Sequence, residues 1–194
     1  MNIVELIFSE NADHDGVALM EGLRKVSYVE LFESVRSLAG QFRALGIVKG
    51  TYVVLCWRGG IDYVITSLAV LLCGGVVVPV SETASDSEIH DVVKMSGAEI
   101  FIGVRAVACV VPVPFSSDVV ARSLCLFRVS TQVRRDERIK AIDAAFVRFS
   151  SGTTGASKGV LLSHPAIVER TDAADQVLKM TRDDRVIWVL NMSF

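Results

Sequence analysis

Two periods alternate along this chain, short continuous apolar runs and longer stretches whose apolar positions recur every three or four residues. The runs Tyr52-Val53-Val54-Leu55-Cys56-Trp57, Val76-Val77-Val78-Pro79-Val80 and residues 99–103 show no polar alternation, which predicts strands of a parallel sheet covered on both faces. Helices are predicted between them. Ser27 and Glu30 have capping-box spacing, Tyr28, Leu31, Val35, Leu38, Phe42 and Leu45 form one stripe, and Gly46 supplies the stop. Gly59-Gly60 lead into an apolar helix over 61–73, and a second capping box, Ser85 and Glu88, opens a helix that carries Ile89, Val92 and Val93 and closes at Gly97. The order is βαβαβ, which predicts an α/β fold: a mostly parallel sheet with helices on both faces and right-handed crossovers.

The flanks are less regular. Within residues 1–25 only Val17-Ala18-Leu19-Met20 reads as a strand, with a turn at Glu21-Gly22. Residues 104–117 read as an extended edge segment, 124–129 as a strand, and the polar stretch 130–142 as the best candidate for a linker or sub-boundary. Residues 144–150 and 160–162 read as strands, Pro165 as the first residue of a helix running to about 180, and Arg185-Val186-Ile187-Trp188-Val189-Leu190 as a last strand.

Composition narrows the classes. With 20 basic and 22 acidic side chains and no basic block, the chain lacks the footprint of a nucleic-acid binder. Its four cysteines, Cys56, Cys73, Cys109 and Cys125, are widely spaced among aliphatic residues and read as reduced thiols. The first residues lack a basic n-region and a small-residue cleavage site, so a cytoplasmic protein is expected. Residues 63–81 carry no charge over 19 positions, but Gly74, Gly75 and Pro79 divide the run into a helix and a strand, so no membrane span is expected. The mean hydropathy of +0.46 predicts either thorough burial or an apolar face that favours self-association.

Chemistry becomes visible at residues 149–160, Phe149-Ser150-Ser151-Gly152-Thr153-Thr154-Gly155-Ala156-Ser157-Lys158-Gly159-Val160. Glycines permit positive φ and close backbone approach, hydroxyls and backbone N–H groups can line an anion-binding concavity, and Lys158 adds a mobile positive charge. A loop of this kind between two strands is suited to phosphate. It is not a Walker loop, which ends in Gly-Lys-Ser/Thr where Ser157-Lys158-Gly159 stands here, and the chain contains no Gly-x-Gly for a dinucleotide turn.

The stretch from Ser150 to Val160 resembles the phosphate-loop motif of the adenylate-forming superfamily, which includes acyl- and aryl-CoA ligases, nonribosomal-peptide adenylation domains and luciferases. Val26-Ser27-Tyr28-Val29-Glu30-Leu31, Leu45-Gly46-Ile47-Val48-Lys49-Gly50 and Leu71-Leu72-Cys73-Gly74-Gly75-Val76-Val77-Val78-Pro79-Val80 resemble earlier signatures of that family, in the same order. Two positions depart from it: Ser157 stands where proline is usual and Thr51 where aspartate is usual. Losing proline's restriction costs about 0.4–1 kcal/mol of loop order, less than the roughly 1.5–3 kcal/mol of each hydrogen bond to a charged group, so the loop's purpose survives.

The resemblance implies an AMP-forming acid–thiol ligase that joins a small carboxylic acid to AMP and then to a thiol, with ATP and Mg required and CoA favoured over a carrier thiol as acceptor. It assigns Ser150, Ser151, Thr153 and Thr154 as donors to phosphate, Gly152 and Gly155 as the residues that let the loop fold, and Lys158 as a charge near the pyrophosphate. The family's adenine segment, magnesium-binding glutamate, ribose-binding aspartate and C-terminal catalytic lysine have no counterpart in residues 1–194. The chain is therefore expected to be an incomplete N-terminal domain, with no complete catalytic set and no metal ligand, inactive alone and prone to self-association. Two other classes compete: a noncatalytic nucleotide- or phosphate-binding module, and an interaction domain that keeps the fold. Among single residues, His164 is expected to cap a helix more than to touch substrate, Trp57 and Trp188 to lie in the core, His14 and His90 to be solvated, and Asp183-Asp184 to form a solvated turn.

Overall fold

The computed structural model describes residues 2–104, 110–113, 115, 117–120, 123–129, 142–150 and 158–192, with Ser150 described in its backbone alone. The elements in chain order are α1 (Ile3–Glu10), β1 (Val17–Glu21), β2 (Arg24–Ser27), α2 (Tyr28–Ala44), β3 (Tyr52–Cys56), α3 (Ile61–Leu72), β4 (Val76–Val80), α4 (Asp86–Ser96), β5 (Ile100–Gly103), β6 (Val110–Val113), β7 (Cys125–Val129), β8 (Ala144–Ser150), β9 (Lys158–Ser163) and α5 (His164–Leu178). Strands β1 and β2 form an antiparallel hairpin of their own. The other seven form one sheet in the order β6-β7-β5-β3-β4-β8-β9. Its central strands β5, β3, β4 and β8 are parallel, while β7, β6 and β9 add antiparallel edges.

Alternation within the central strands fills both faces. Val53 and Leu55 of β3 point toward α2 and α3, where Leu31, Val35, Leu38, Phe42, Ile65 and Ala69 are buried. Val54 of β3 and Val78 of β4 point the other way, against Ile89 and Val93 of α4. Helix α3 lies beneath α2 and is buried on most of its circumference, so the uncharged run 63–81 is an internal helix and a central strand. No helix among the described residues is long and apolar enough to cross a membrane.

Local rules set the ends of these helices. Both capping boxes form, Ser27 with Glu30 and Ser85 with Glu88, and Gly97 ends α4 in the left-handed region at φ 64°. Cys56 and Cys73 are buried thiols and Cys125 is a half-buried one, with no disulfide among the described residues; Cys109 lies outside the described residues, as does the linker candidate up to residue 141. Thr51 is only 4% exposed, and its hydroxyl accepts from the Val48 N–H at 3.1 Å, taking over the turn contact expected of an aspartate.

Two stretches of the chain fold otherwise than expected. Residues 185–190 form no strand: Val186, Ile187, Val189 and Leu190 are exposed, and Trp188, expected in the core, is 56% exposed. An apolar β-branched run becomes a strand only when a neighbouring ladder takes its N–H and C=O groups, and on this side the described sheet ends at β9. The N-terminus departs in the other direction, forming α1 where no helix was expected. Asn2 accepts from the Val4 N–H at 2.9 Å, and Val4 and Phe8, one turn apart, enter the core.

Candidate functional site

Strand β8 is parallel to β4, so its carboxyl end lies at the same edge of the sheet as the carboxyl ends of β3, β4 and β5. The chain moves from β3 to β4 on one side and then to β5 on the other, and ligands of open α/β sheets gather at that edge, where the strand order reverses. Strand β8 ends and β9 begins there, at Ser150 and Lys158. In the antiparallel pairing of β8 with β9, Ser150 lies opposite Lys158, Phe149 opposite Gly159 and Arg148 opposite Val160. Ser150 and Lys158 therefore form the neck of the loop. Lys158 is exposed, and no carboxylate pairs with it among the described residues. Ser151, Gly152, Thr153, Thr154 and Gly155 lie outside the described residues, as does Ser157.

Packing fixes the neck from one side. A Cβ at Gly159 would approach Cε1 of Phe149 to 3.0 Å, so glycine there leaves room for the cross-strand ring. On the other side Arg148 is half-buried near Tyr63 of α3, and its charge opposes the burial that pushes the Tyr63 phenol up to about 12. The Tyr63 hydroxyl donates to the Met192 carbonyl at 3.4 Å, which brings the segment after residue 190 back over the same edge. Asn191 reaches the Ser81 hydroxyl at 3.3 Å, just beyond β4.

The base of the hairpin departs from expectation. Ser163, and not His164, caps α5, accepting from the Ala166 N–H at 3.3 Å. His164 is 2% exposed; its backbone N–H donates to Asp143 O at 3.0 Å, and its Nδ1 accepts from the Ile3 N–H at 3.2 Å. Burial pushes its pKa below the ordinary histidine value. The position therefore joins β8, α5 and α1 and faces no open site.

Residue reading also missed the fastening of the β1–β2 hairpin. Glu21 Oε2 accepts from the Ile61 N–H at 3.0 Å, standing in for the cap that Gly60 cannot supply, and Arg24 pairs with Asp62 at 2.7 Å. Gly60 sits at φ 132°, and a Cβ there would lie 2.6 Å from both Glu21 oxygens. Partners separated by 40 residues leave no local signal. Their effect is to set the α3 N-terminus beside the carboxyl end of β3.

Two hollows occur among the described residues. One, of about 200 Å³, is lined by Trp57, Arg58, Glu82, Val104 and Ser123, which follow β3, β4 and β5 and precede β7. The larger, about 720 Å³, runs along α5 past Pro165, Val168, Glu169, Asp172, Ala173 and Gln176. Among the described lining residues of the two hollows, Lys158 does not occur. Asp183-Asp184 form a turn as expected: the Asp184 carboxylate accepts from the Thr181 N–H at 2.7 Å and hydroxyl at 2.9 Å, bonds that hold its pKa low. No group of three or more metal-ligating side chains occurs among the described residues.

Comparison with known proteins agrees with this geometry. Nonribosomal peptide synthetase 5 of Gibberella zeae is 32% identical over 187 residues, 94% of this chain and 2% of that protein. Tyrocidine synthase 1 of Brevibacillus parabrevis is 28% identical over 98% of this chain and 18% of its own length. The N-terminal subdomain of Klebsiella oxytoca NpsA, solved in complex with 3-hydroxybenzoyl-AMSN, superposes with a TM-score of 0.76 at 25% identity over 100% of this chain and 48% of that one. The chain thus spans about half of that solved structure and a small part of the synthetases it matches. The family described as AMP-binding enzyme matches residues 8–194, and the chain belongs to that family of adenylate-forming enzymes.

Proposed function

We propose that the chain is the N-terminal portion of an ATP-dependent ligase that activates a small carboxylic acid as its acyl-adenylate and passes the acyl group to a thiol. The observation that carries this is the loop neck, Ser150 opposite Lys158 at the carboxyl edge of a parallel sheet, within a chain of the AMP-binding family. In the first step a carboxylate oxygen attacks the α-phosphorus of ATP, the bond from that phosphorus to the bridging oxygen breaks, and pyrophosphate leaves. In the second, a thiolate attacks the acyl carbon and AMP leaves.

This chain's part is electrostatic. Ser150, Ser151, Thr153 and Thr154 donate to the β- and γ-phosphates, Gly152 and Gly155 let the backbone close around them, and Lys158 offsets the charge that builds on departing pyrophosphate. Magnesium bound to the phosphate oxygens would supply further charge neutralisation; its protein ligand is expected outside residues 1–194. The hydroxyls of this stretch and the Lys158 ammonium suit a polyphosphate, since each hydrogen bond to it is worth about 1.5–3 kcal/mol.

For the acceptor, the match to peptide synthetases favours a carrier-bound thiol, whereas the residues alone incline to CoA. Either acceptor belongs in the cytoplasm, where ATP is abundant. The experiment is an ATP–pyrophosphate exchange assay with a panel of carboxylates, run on the whole protein that carries this chain and on residues 1–194 alone. Exchange that depends on the acid, at least tenfold lower kcat/KM in Lys158→Ala, and AMP release once a thiol acceptor is supplied are expected of the whole protein, and no exchange of the 194 residues. Release of ADP would overturn the reaction class, and exchange by the isolated chain would overturn its division into half-sites.

A further inference from the structure

His164 stands at the meeting point of three elements and is used by no step of the reaction above. It is the first residue of α5, its backbone N–H closes the base of the β8–β9 hairpin on Asp143, and its ring points at the first turn of α1. There the Ile3 N–H, one of the donors that a helix start cannot satisfy internally, ends on Nδ1 at 3.2 Å. An accepting Nδ1 requires a neutral ring with its proton on Nε2. The same turn has one other polar anchor in Asn2, whose side-chain amide donates to Leu71 O at 2.6 Å at the far end of α3. Helix α1 is short, eight residues, with Val4 and Phe8 buried and Ile3 and Ile7 packed half-buried beside them. Its docking therefore depends on these end contacts more than a long helix would.

We propose that His164 is a proton-sensitive pin: its neutral ring ties α1 to the base of the hairpin that carries the phosphate loop, and protonation releases α1. Adding a proton to Nδ1 sets an N–H against the Ile3 N–H, which removes the bond and leaves two donors facing each other in a site that is 2% exposed. The ring also sits at the N-termini of both α1 and α5, whose backbone dipoles disfavour a cation. The charged groups that face it are mixed. Asp143 at the start of β8 and Glu5 on α1 favour the imidazolium, whereas the chain's α-amino group and Lys49, in the turn before β3, oppose it. Burial is the largest influence and acts with the second pair, so the docked ring takes up a proton at lower pH than a free one.

The sign follows from linkage. A docked ring with depressed pKa contributes its full share at neutral pH, and that share falls once the pH drops below the ordinary value of 6.5 of an undocked ring. At pH 5.0 an undocked imidazole of ordinary pKa favours release by up to about thirtyfold. The device does not depend on nucleotide binding, so it stands or falls separately from the ligase reading.

The experiment is hydrogen exchange on the 194-residue chain at pH 7.5 and 5.0, corrected for intrinsic rates, in the wild type and in His164→Asn. Asparagine can offer its Oδ1 to the Ile3 N–H but does not titrate. Protection of residues 3–10 is expected to fall at least tenfold in the wild type between the two pH values and to stay level in the variant, with α2 unchanged in both. An equal pH response in the two proteins, or none in the wild type, would overturn the proposal. Should the variant lose protection in α2 and so fail to fold, nitrogen NMR of the wild type decides. A common midpoint for the His164 ring and the Ile3 amide supports the pin, and separate midpoints overturn it.

Discussion

The Tyr63 phenol is buried in α3, and burial pushes its pKa up to about 12 from the ordinary 10.0, against the pull of the nearby Arg148 charge. The neutral form is thus the one the fold holds. As the pH rises above 10 the unfolded chain ionises this group while the folded chain does not, so stability is lost between about pH 10 and 12. Tyr63→Phe is expected to flatten that part of the stability–pH profile in urea titrations; an unchanged profile would assign the loss to other groups. Residue-scale chemistry was legible where a position acts on its neighbours. The capping boxes at Ser27 and Ser85 and the Gly97 stop are read from spacings of three or four residues, and the structure forms each of them. His164 was not legible, since its partners Ile3 and Asp143 come from separate elements.

Among elements, the β1–β2 hairpin depends on a contact no periodicity announces. Glu21 satisfies the Ile61 N–H across 40 positions, and with Arg24–Asp62 it holds the start of α3. Arg24 is 47% exposed, so that ion pair stabilises little, whereas loss of a helix cap costs about 0.5–2 kcal/mol. Glu21→Ala is accordingly expected to lower urea stability by about 1 kcal/mol and to exceed the effect of Arg24→Ala, an order that reverses if the ion pair dominates. The segment 185–190 fails in the opposite way. Its composition is that of a strand, but strand formation depends on a partner edge, and composition carries no information about one. Helix α1, in which Ile3, Val4, Ile7 and Phe8 meet the core, is only eight residues, two turns over which a helical period barely repeats.

Across the whole molecule, exposed apolar side chains recur from residue 177 to residue 190. Both faces of the central strands are covered, whereas Val177, Leu178, Val186, Ile187, Val189 and Leu190 are each more than 60% exposed. An exposed run of this kind favours association. Sedimentation is expected to show concentration-dependent self-association that the pair Ile187→Asp and Val189→Asp reduces without loss of stability; monomeric wild type at high concentration would contradict it. The parallel order of β3, β4 and β5 was readable from the alternation of apolar runs and helical stripes. The antiparallel partnership of β6 and β7 was not, because their residues would suit either direction.

The central claim is that these residues carry the phosphate-binding half of an ATP site, to which Lys158 brings positive charge. Calorimetric titration of the 194-residue chain with pyrophosphate, in the wild type and in Lys158→Ala, tests it most directly. Saturable one-site binding in the wild type, weakened about tenfold or more in the variant as expected for loss of one charged contact, is the predicted result. Absence of binding in the wild type, or equal affinity in the two proteins, would contradict it.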